Sequence, residues 1–584
     1  MSESLNELEV LALDCQASGS TPAHGDLLEF GWATCNAAGL GGPVHSNWIV
    51  PRTERPIPWA VRELVGWTED CVAYAVDERR AWDELRAAAV FNDGGSPAPP
   101  APTVIHFARF ELTFLRDLCA RVGGGADLPF DVVCLHAIAA RLFPDLPRRN
   151  IRALAGYLGH SPELGRRAAG HVEATAFIWR ALVPLLAERG VRTWSALKGW
   201  LDEPAPRVRR ARRVYPLASE RRRQLPDRPG IYRFLRRNGD VLYVGKAASL
   251  RHRVAGHFKG RGPATERGLE LLTQVHDVNP TETASLVEAA LLETDEIKRL
   301  NPPYNVQLRS GDRRAWFASP DLREATPTAD PAHRIGPLPS ERALQPLAAL
   351  TVLAEGRAAT PALCAAALAV PPMFLPEPAL FDEGFRAFVA DHLADHLADH
   401  LAEHPTDRSA DDLRGGEPAA AARLARASLA QWLLRGRAEP DADANPSAGP
   451  TDWDLARVRR RLERNLVQTG LLMRRARFLC LLADATVAFR ERDMTTARGL
   501  VIAAGEIRER RELDDVMAIA RWPAAGPLPP HDQRQACFDA AVYDRLRVLT
   551  TELHRVRDEG GAVAVRVGAH SFTPDRVARL MRTL

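Results

Sequence analysis

The stretch from 225 to 310 contains an ordered series of side chains that can take part in acid–base and metal chemistry. In chain order they are Tyr232, Tyr243, Lys246, Arg253, His257 and Glu293. Phenol and imidazole groups can exchange protons, ammonium and guanidinium groups can neutralise an anion, and a carboxylate can bind a divalent cation. Together these groups have the composition of a metal-dependent site that cuts a phosphodiester bond.

The two tyrosines lie on short apolar runs that predict a β-hairpin. The runs are Gly230 to Leu235 and Val241 to Gly245, and the Asn238-Gly239 pair between them can supply the positive φ angles of a type I′ turn. Tyr232 and Tyr243 would then share one face of the hairpin. Pairing outward from this turn gives the register Leu235–Leu242, Phe234–Tyr243 and Tyr232–Gly245.

A helix is predicted to follow the hairpin and to carry Arg253 and His257. Apolar side chains recur at four-residue spacing from Leu250 to Phe258, which is typical of one buried helical face. Ser249 stands where the N-cap is expected. Arg253 and His257 are four residues apart, so they lie together on another face of this helix.

A second helix, from about 283 to 300, is predicted to carry Glu293. It ends before Asn301-Pro302-Pro303, because proline cannot continue a helix. Glu293 interrupts its apolar stripe, where a carboxylate is costly unless it has an ionic partner, so we expect a metal or a strong donor beside it. Glu288 lies off the stripe and is expected to face solvent. The stripe consists of Leu286, Ala290, position 293, Ile297 and Leu300.

These elements, in this order, resemble the GIY-YIG nuclease domain. The motifs are Gly230-Ile231-Tyr232, Tyr243-Val244-Gly245-Lys246, Arg253, and the segment ETDEIKRLNPPYN from Glu293 to Asn305. The last segment is most similar to the amino-terminal half of the UvrC-type excision nuclease and its short relative Cho. The resemblance covers residues 225–310 and implies a small α/β nuclease domain.

The resemblance also implies a role for each residue. Glu293 would bind one Mg²⁺ or Mn²⁺, Arg253 would stabilise charge on the phosphoryl oxygens, and Lys246 would lie near the same phosphate. Tyr243 would orient or deprotonate the attacking water, and Tyr232 would support it. His257 is a second candidate for proton transfer, so the general base is left open between Tyr243 and His257. Structural support is expected from Gly230, Gly245 and Asn305.

Lysine is rare in this chain, which draws attention to Lys246. Only four of the 77 Lys and Arg residues are lysines, and three of the four lie between 225 and 310. We hypothesise that Lys246 persists because a compact ammonium is needed there. Lys259 and Lys298 are expected to be ordinary exposed positions, in which case the clustering has no functional meaning.

Residues 1–195 resemble the DnaQ-type 3′→5′ exonuclease family, which implies a ribonuclease-H-like fold. The matching segments are Leu8 to Asp14, Gln16, Gly19, Leu27 to Trp32, Val104 to Glu111, Ala140 to Pro144 and 166–175. The departures are informative, because the family pattern has an Asp-x-Glu pair, then an Asp, then a His and an Asp. This chain has Asp14 and Gln16, then Glu111, then Arg166 and His171.

Two magnesium ions need several bridging anionic oxygens, and an amide, an Arg and an imidazole do not provide them. We therefore expect this domain to engage DNA or another protein, with weak or absent exonuclease activity. The alternative is an altered metal site that uses Asp14 and Glu111 with His171 and Glu173. A 3′→5′ exonuclease of the DNA polymerase III epsilon type, assisted by the GIY-YIG domain, is the corresponding alternative function.

Residues 196–224 form an Arg-rich linker between these two regions. The net charge of the whole chain is only +3, so positive charge is concentrated locally. The linker is an exposed tether, and it is also a candidate strip for contacts to DNA phosphates. The arginines assigned to DNA binding are Arg207, Arg209, Arg210, Arg212 and Arg213.

Residues 311–584 are rich in Ala, Leu and Arg at helical spacing, which predicts a mostly helical region with linkers near 404–418 and 440–451. The second nuclease half of the UvrC-type family, which has its own acidic triad, is not evident in this region. Its absence implies a single incision each time the protein binds DNA. Scattered cysteines, the lack of a long apolar run and the lack of a leader predict a cytoplasmic protein that does not enter a membrane.

The leading functional hypothesis is a metal-dependent DNA endonuclease that makes single-strand incisions in DNA repair. Its expected partners are DNA and either other excision-repair proteins or a DNA polymerase. A non-catalytic repair scaffold is a further alternative. The expected fold class is α/β and α+β multidomain.

Overall fold

The computed structural model describes residues 3–53, 55–89, 99–124, 127–160, 167–204, 214–259, 265–306, 308, 314–354, 357–392, 453–522, 529–574 and 577. The chain divides into two compact units. The first consists of Met1–Ala284 and Pro302–Val306, and the second of Ser285–Asn301 and Gln307–Leu584. The segment from 285 to 301, which carries Glu293, therefore belongs to the second unit.

The amino-terminal part of the first unit is built on a mixed five-stranded sheet in the order β3-β2-β1-β4-β5. β1 is antiparallel to β2 and parallel to β4, and β4 is parallel to β5. Alternate residues of β1 enter different cores, Val10 and Ala12 on one face and Leu11 and Leu13 on the other, so both faces are covered. The strands are β1 (Val10–Ala17), β2 (Leu27–Cys35), β3 (His45–Trp48), β4 (Ala101–Ile105) and β5 (Phe130–Cys134).

Helices surround this sheet, and α6, with 21 residues, packs against β1 and β2. The mixed α/β class predicted for this region is confirmed. The helices, in chain order, are α1 (Trp59–Val65), α2 (Glu78–Ala88), α3 (Ala108–Val122), α4 (Leu135–Leu142), α5 (Ile151–Tyr157), α6 (Ala168–Glu188) and α7 (Trp194–Asp202).

The rest of the first unit contains a three-stranded antiparallel sheet in the order β7-β6-β8. As predicted, Ser249 caps a helix by accepting a hydrogen bond from His252 N, and this helix buries Leu250, Val254 and Phe258. The elements are α8 (Ser219–Arg223), β6 (Gly230–Leu235), β7 (Val241–Ala247), α9 (Leu250–Phe258), α10 (Glu266–Gln274) and β8 (Asp277–Glu282).

The predicted hairpin register is confirmed near the tyrosines, but the predicted turn is wrong. Phe234 pairs with Tyr243 and Tyr232 with Gly245, whereas Leu235 pairs with Val241 instead of Leu242. Gly239 has a positive φ of 91° and Asn238 does not, so the turn is not type I′. Gly239 N donates to Arg236 O, and a three-residue loop with a glycine bulge closes the hairpin.

The second unit combines helices with antiparallel sheets in the orders β10-β9-β11 and β14-β13-β12-β15-β16. The helices are α11 (Leu286–Leu300), α12 (Gln345–Ala354), α13 (Pro361–Leu368), α14 (Pro378–His392), α15 (Leu455–Leu482), α16 (His531–Ala536) and α17 (Ala540–Asp558). The strands are β9 (Trp316–Ala318), β10 (Ala325–Thr326), β11 (Ile335–Leu338), β12 (Ala485–Arg490), β13 (Ala497–Ala503), β14 (Glu506–Leu513), β15 (Ala562–Val567) and β16 (His570–Phe572).

The helical character predicted for this region is confirmed, and the two sheets are an addition that the sequence analysis missed. β12 is a short, nearly continuous apolar run, which hydrophobic periodicity does not distinguish from a buried helix. β14 is charged along most of its length and shows no alternation. Both linkers near 404–418 and 440–451 lie outside the described residues. Among the described helices, none is long and apolar enough to cross a bilayer.

Candidate active site

The β6–β7 hairpin brings Tyr232 and Tyr243 together, with their ring centroids 6.1 Å apart. Tyr232 is fully buried. A Cβ atom on Gly245 would lie 2.6 Å from Tyr232 Oη and 2.7 Å from Tyr243 Cε1, closer than real Cβ contacts allow. Gly245 is therefore required for the two phenols to occupy these positions.

His257 reaches the same cluster from α9. Its Nε2 is 2.7 Å from Tyr232 Oη, and its ring centroid is 6.2 Å from that of Tyr243. Burial, reinforced by the charge of Arg253, lowers the pKa of His257 to about 4. The neutral imidazole is therefore favoured, and it is hydrogen-bonded to the Tyr232 phenol. Phenol and imidazole are both groups that can exchange protons.

We expect His257 to remain neutral throughout the mildly acidic range. Because folding lowers its pKa, His257 stays unprotonated as the pH falls through the ordinary histidine value of about 6.5. The ratio of wild-type to His257→Gln single-turnover rates for DNA nicking should therefore stay constant within about twofold from about pH 7.5 to 5.5. A wild-type rate that declines with a midpoint near 6.5, in a step that the variant lacks, would contradict this assignment.

Asn305 fastens the middle of β7. Asn305 Oδ1 accepts a hydrogen bond from Val244 N at 3.0 Å, and Asn305 Nδ2 donates one to Val244 O at 2.9 Å. Val244 lies between Tyr243 and Gly245, so this buried amide restrains the backbone that carries both. Gly230 begins β6, where a Cβ would lie 2.2 Å from Thr281 O, and only glycine allows that approach of β8.

Two cationic residues predicted for the site flank this cluster. Lys246 follows Gly245 in β7, pairs with Ile231 and is half-buried. Arg253 lies on α9, one turn before His257, and is exposed. An exposed guanidinium one turn from the imidazole is accessible to an anionic ligand from solvent.

Glu293 lies on α11, in the second unit, and is half-buried. Its predicted stripe is confirmed in burial, because Ala290 and Ile297 are buried and Leu286 and Leu300 are half-buried. The helix also buries a second stripe that the sequence analysis missed, consisting of Val287, Leu291 and Thr294. The helix is therefore covered along two sides.

Two expectations about charged residues on α11 were wrong. Glu288 is not solvated, because its side chain is only 10% exposed and its Oε1 lies 2.8 Å from Arg498 Nε. Lys298 is not an ordinary exposed residue, because its Nζ lies 2.8 Å from Oδ2 of the buried Asp544. The prediction assumed that α11 has a single buried face. Both residues lie on the side of the second stripe, so they were expected to be exposed. Lys259 is exposed, as expected.

The exonuclease-like sheet places Asp14 of β1 and His171 of α6 in contact, with Oδ2 and Nδ1 3.2 Å apart. Burial lowers the pKa of His171, but the charge of Asp14 outweighs this effect and the net pKa is raised. The raised pKa favours the imidazolium form of His171, whose charge offsets that of Asp14. Gln16 is buried in the same strand, whereas Glu173 is exposed.

Glu111 is the other acid of this region and is 4% exposed. Burial raises the pKa of Glu111 well above its usual range, and Asp14 raises it further, so the neutral carboxyl is favoured. Among the described residues, no group of three or more His, Cys, Asp or Glu side chains is arranged to hold a metal ion. The donor set does not fit the two-metal centre of the exonuclease family.

A cavity of about 490 Å³ opens beside Asp14 and Glu111. Its wall also includes His106, Phe107 and His136. Phe107 is 46% exposed, which is unusual for a phenylalanine and makes its ring available to a ligand. The remaining lining residues are Pro147, Arg148, Arg149, Asn150 and Ile151.

The same wall connects the exonuclease-like fold to α10. Arg148 Nη2 donates to Glu266 Oε1 at 2.8 Å, and Asn150 Nδ2 donates to Glu270 Oε2 at 2.7 Å. Glu270 Oε1 in turn accepts a hydrogen bond from Tyr304 Oη at 2.6 Å. Residue patterns did not predict this connection, although Tyr304 lies in the Asn-Pro-Pro-Tyr-Asn segment.

Several predicted residues have no structural description. Arg166 and the arginines assigned to DNA binding, Arg207, Arg209, Arg210, Arg212 and Arg213, lie outside the described residues. Their roles stay predictions. Next to Arg166, Arg167 Nε lies 2.7 Å from the buried Glu29 and its guanidinium stacks over Trp48.

Residues 228–306 match the family model of the UvrC-like GIY-YIG domain, so this part of the chain is similar to that domain. The resemblance drawn from the hairpin, the helix and the Asn-Pro-Pro-Tyr-Asn segment is confirmed.

Proteins similar to this chain include an exonuclease/endonuclease and UvrABC system proteins C. A Mycobacterium tuberculosis protein whose name describes a bifunctional exonuclease/endonuclease is 31% identical over 261 residues, 43% of this chain and 39% of that protein. The UvrABC system protein C of Chlorobaculum tepidum is 40% identical over 99 residues, 17% of this chain and 16% of that protein. The chain thus spans less than half the length of either relative.

A solved structure also matches. It is the GIY-YIG N-terminal endonuclease domain of UvrC from Thermotoga maritima, bound to magnesium as its catalytic divalent cation. It is 29% identical, covers 15% of this chain and 93% of the domain, and has a TM-score of 0.14.

Proposed function

We propose that this protein is a metal-dependent DNA endonuclease that makes a single-strand incision during DNA repair. The observation that carries the proposal is the cluster of Tyr232, Tyr243 and His257 within a domain that matches the UvrC-like GIY-YIG family. A buried phenol hydrogen-bonded to an imidazole, with a second, half-buried phenol beside both, is suited to moving a proton from water to a leaving group.

Tyr243 is proposed to orient or deprotonate the attacking water, with His257 as the rival base. Tyr232 holds His257 through its hydroxyl, so the proton can be shared between Oη and Nε2. Arg253 and Lys246 are proposed to contact the phosphate, where their charges offset the charge that develops during cleavage.

Glu293 is proposed to hold a divalent cation, Mg²⁺ or Mn²⁺, which when bound supplies Lewis-acid stabilisation of a phosphoryl oxygen. The residue fits this group, because hard cations favour carboxylate oxygen and one or two carboxylates suffice when water completes the coordination shell.

The exonuclease-like domain is proposed to engage the DNA substrate without degrading it. In support, His171 occupies the place of an acid and is ion-paired with Asp14, and the pKa of Glu111 is raised. Asp14 and Glu111 as an altered metal site is the alternative. Other excision-repair proteins or a DNA polymerase are proposed partners.

The test compares both activities in one preparation. The purified chain, with Mg²⁺ or Mn²⁺, should nick plasmid or branched and damaged duplexes, and labelled 3′ ends should stay intact. Asp14→Asn should leave the nicking rate within about twofold, because that residue is assigned no part in strand scission. Absence of nicking on every substrate would refute the endonuclease. Stepwise 3′ shortening that Asp14→Asn abolishes would establish the exonuclease alternative.

A further inference from the structure

The first turn of helix α11 is anchored by other residues of the second unit, to which the helix itself belongs. Glu491 accepts hydrogen bonds from Leu286 N at 3.3 Å and from Val287 N at 3.2 Å. Arg555 Nη2 lies 2.7 Å from the Glu491 carboxylate and holds it in place. A carboxylate at this end satisfies amides that have no partner within the helix and is favoured by the helix dipole. The contact fixes where α11 begins along its own axis.

Three side-chain ion pairs hold the helix farther along. They are spaced at positions 288, 295 and 298, so they restrain nearly the whole length of α11. Two of the partners, Asp544 and Arg545, are adjacent residues of α17. The pairs are Glu288–Arg498 at 2.8 Å, Asp295–Arg545 at 3.0 Å and Lys298–Asp544 at 2.8 Å.

The Lys298–Asp544 pair is the most buried of these contacts. The side chains are 14% and 1% exposed, respectively. Burying two charges costs desolvation energy that an apolar pair would avoid, so such a pair is better suited to specifying one arrangement than to adding stability. Lysine is also unusual in this chain, and a compact ammonium satisfies a single buried carboxylate without the wider fork of arginine.

The anchored face of α11 lies opposite Glu293. Five residues separate Glu293 from Glu288 and also from Lys298, which corresponds to a rotation of about 140° around a regular helix. Val287 and Leu291, on the anchored face, are fully buried in the core of the second unit. Rotation or sliding of α11 would therefore move the Glu293 carboxylate directly.

We infer that the second unit positions the Glu293 carboxylate, with Glu491, Arg498, Asp544 and Arg545 acting as positioning residues. This inference rests on the proposed function, because it assigns the carboxyl-terminal region the task of fixing a cation-binding side chain. The residue pattern of that region had indicated no role for it. Loss of the anchoring contacts should weaken cation binding and slow strand scission while leaving DNA binding intact.

The test is a double variant, Lys298→Met with Asp544→Asn, in the full chain. Removing both charges avoids an unpaired buried ion, and the remaining cost is one buried amide without its former partner, so the melting temperature should fall only modestly. We expect Mn²⁺ affinity, measured by electron paramagnetic resonance, to fall about tenfold, which is typical for loss of groups that orient a metal ligand. The kcat for nicking should fall about tenfold or more, with KM for DNA within about twofold.

A matched pair provides the control. Lys198 Nζ lies 2.7 Å from Asp131 Oδ2 at an exposed site of the first unit, and Lys198→Met with Asp131→Asn should change neither Mn²⁺ affinity nor kcat. If the α11 double variant does not fold, Glu491→Gln provides the same readouts and should show the same losses. Hydrogen exchange in 286–300 should rise in either variant.

The outcomes separate the two claims. If the wild type nicks DNA and the anchoring variants retain its Mn²⁺ affinity and kcat, the inference is overturned and the proposed function stands. If the wild type neither nicks DNA nor binds Mn²⁺ in a Glu293-dependent manner, the proposed function itself fails.

Discussion

Replacing Glu293 with Gln should reduce the rate of DNA nicking by at least about 10³-fold, because a bound cation supplies several kcal/mol of charge stabilisation in the transition state. The substitution keeps size and hydrogen-bonding capacity but removes the negative charge. Single-turnover nicking at saturating Mn²⁺ is the measurement, and Mn²⁺ binding should be lost in parallel. DNA affinity should change little, because the arginines and Lys246 are unaltered.

Glu296→Gln is the matched control for this prediction. Glu296 lies on the same helix, its side chain is 12% exposed, and it pairs with Arg299, which is 65% exposed. The control should nick at the wild-type rate within about twofold, as expected for a short-range pair beside solvent. Equal rates for the two variants would remove Glu293 from the site and with it the proposed endonuclease mechanism.

Replacing Gly245 with Ala should lower nicking by about 10²-fold or more, because small misplacements of catalytic groups have effects of this size. The added methyl would lie 2.6 Å from Tyr232 Oη and 2.7 Å from Tyr243 Cε1. One of the phenols must then move, and Tyr232 would carry His257 with it through their hydrogen bond. Single-turnover nicking is again the measurement, with thermal melting to follow stability.

Gly256→Ala supplies the comparison for Gly245→Ala. Gly256 lies in α9, next to His257, and a Cβ there would meet nothing within 4 Å. Alanine should stabilise this helix by about 0.5–1 kcal/mol and leave nicking unchanged. A Gly245→Ala protein with full activity would show that the tyrosines tolerate displacement and do not act as a positioned group.

The Gly245→Ala variant tests one arrangement, in which side chains from the hairpin and from the following helix meet. Tyr232 and Tyr243 come from a hairpin and His257 from the following helix, whereas Glu293 belongs to a helix anchored in the carboxyl-terminal unit. Asn305 returns to fasten Val244 in the middle of β7. The exonuclease-like cavity contributes Arg148 and Asn150 to contacts with α10, which places a candidate DNA-engaging surface in direct contact with the GIY-YIG domain.

Local patterns in the sequence determined much of this arrangement. The apolar runs around Asn238-Gly239, the spacing from Leu250 to Phe258 and the Ser249 cap were sufficient to predict the hairpin, its register at the tyrosines and α9. Such features depend on neighbours close in the chain, where alternation and helical periodicity decide which side chains share a face. The expectation that Gln16 and His171 stand where the exonuclease pattern has acidic residues likewise came from the residue types alone.

Tertiary structure decided what local patterns do not encode. The ion pair between Asp14 and His171, the clash that a methyl at Gly245 would cause, and the burial of Glu288 and Lys298 each depend on residues distant in the chain. One apolar stripe in a sequence predicts a helix with one buried face. In the structure α11 is covered on two sides, and its charged residues Glu288 and Lys298 pair with Arg498 and Asp544. Long-range packing sets these partners, because a side chain's environment is fixed by which elements the fold brings beside it.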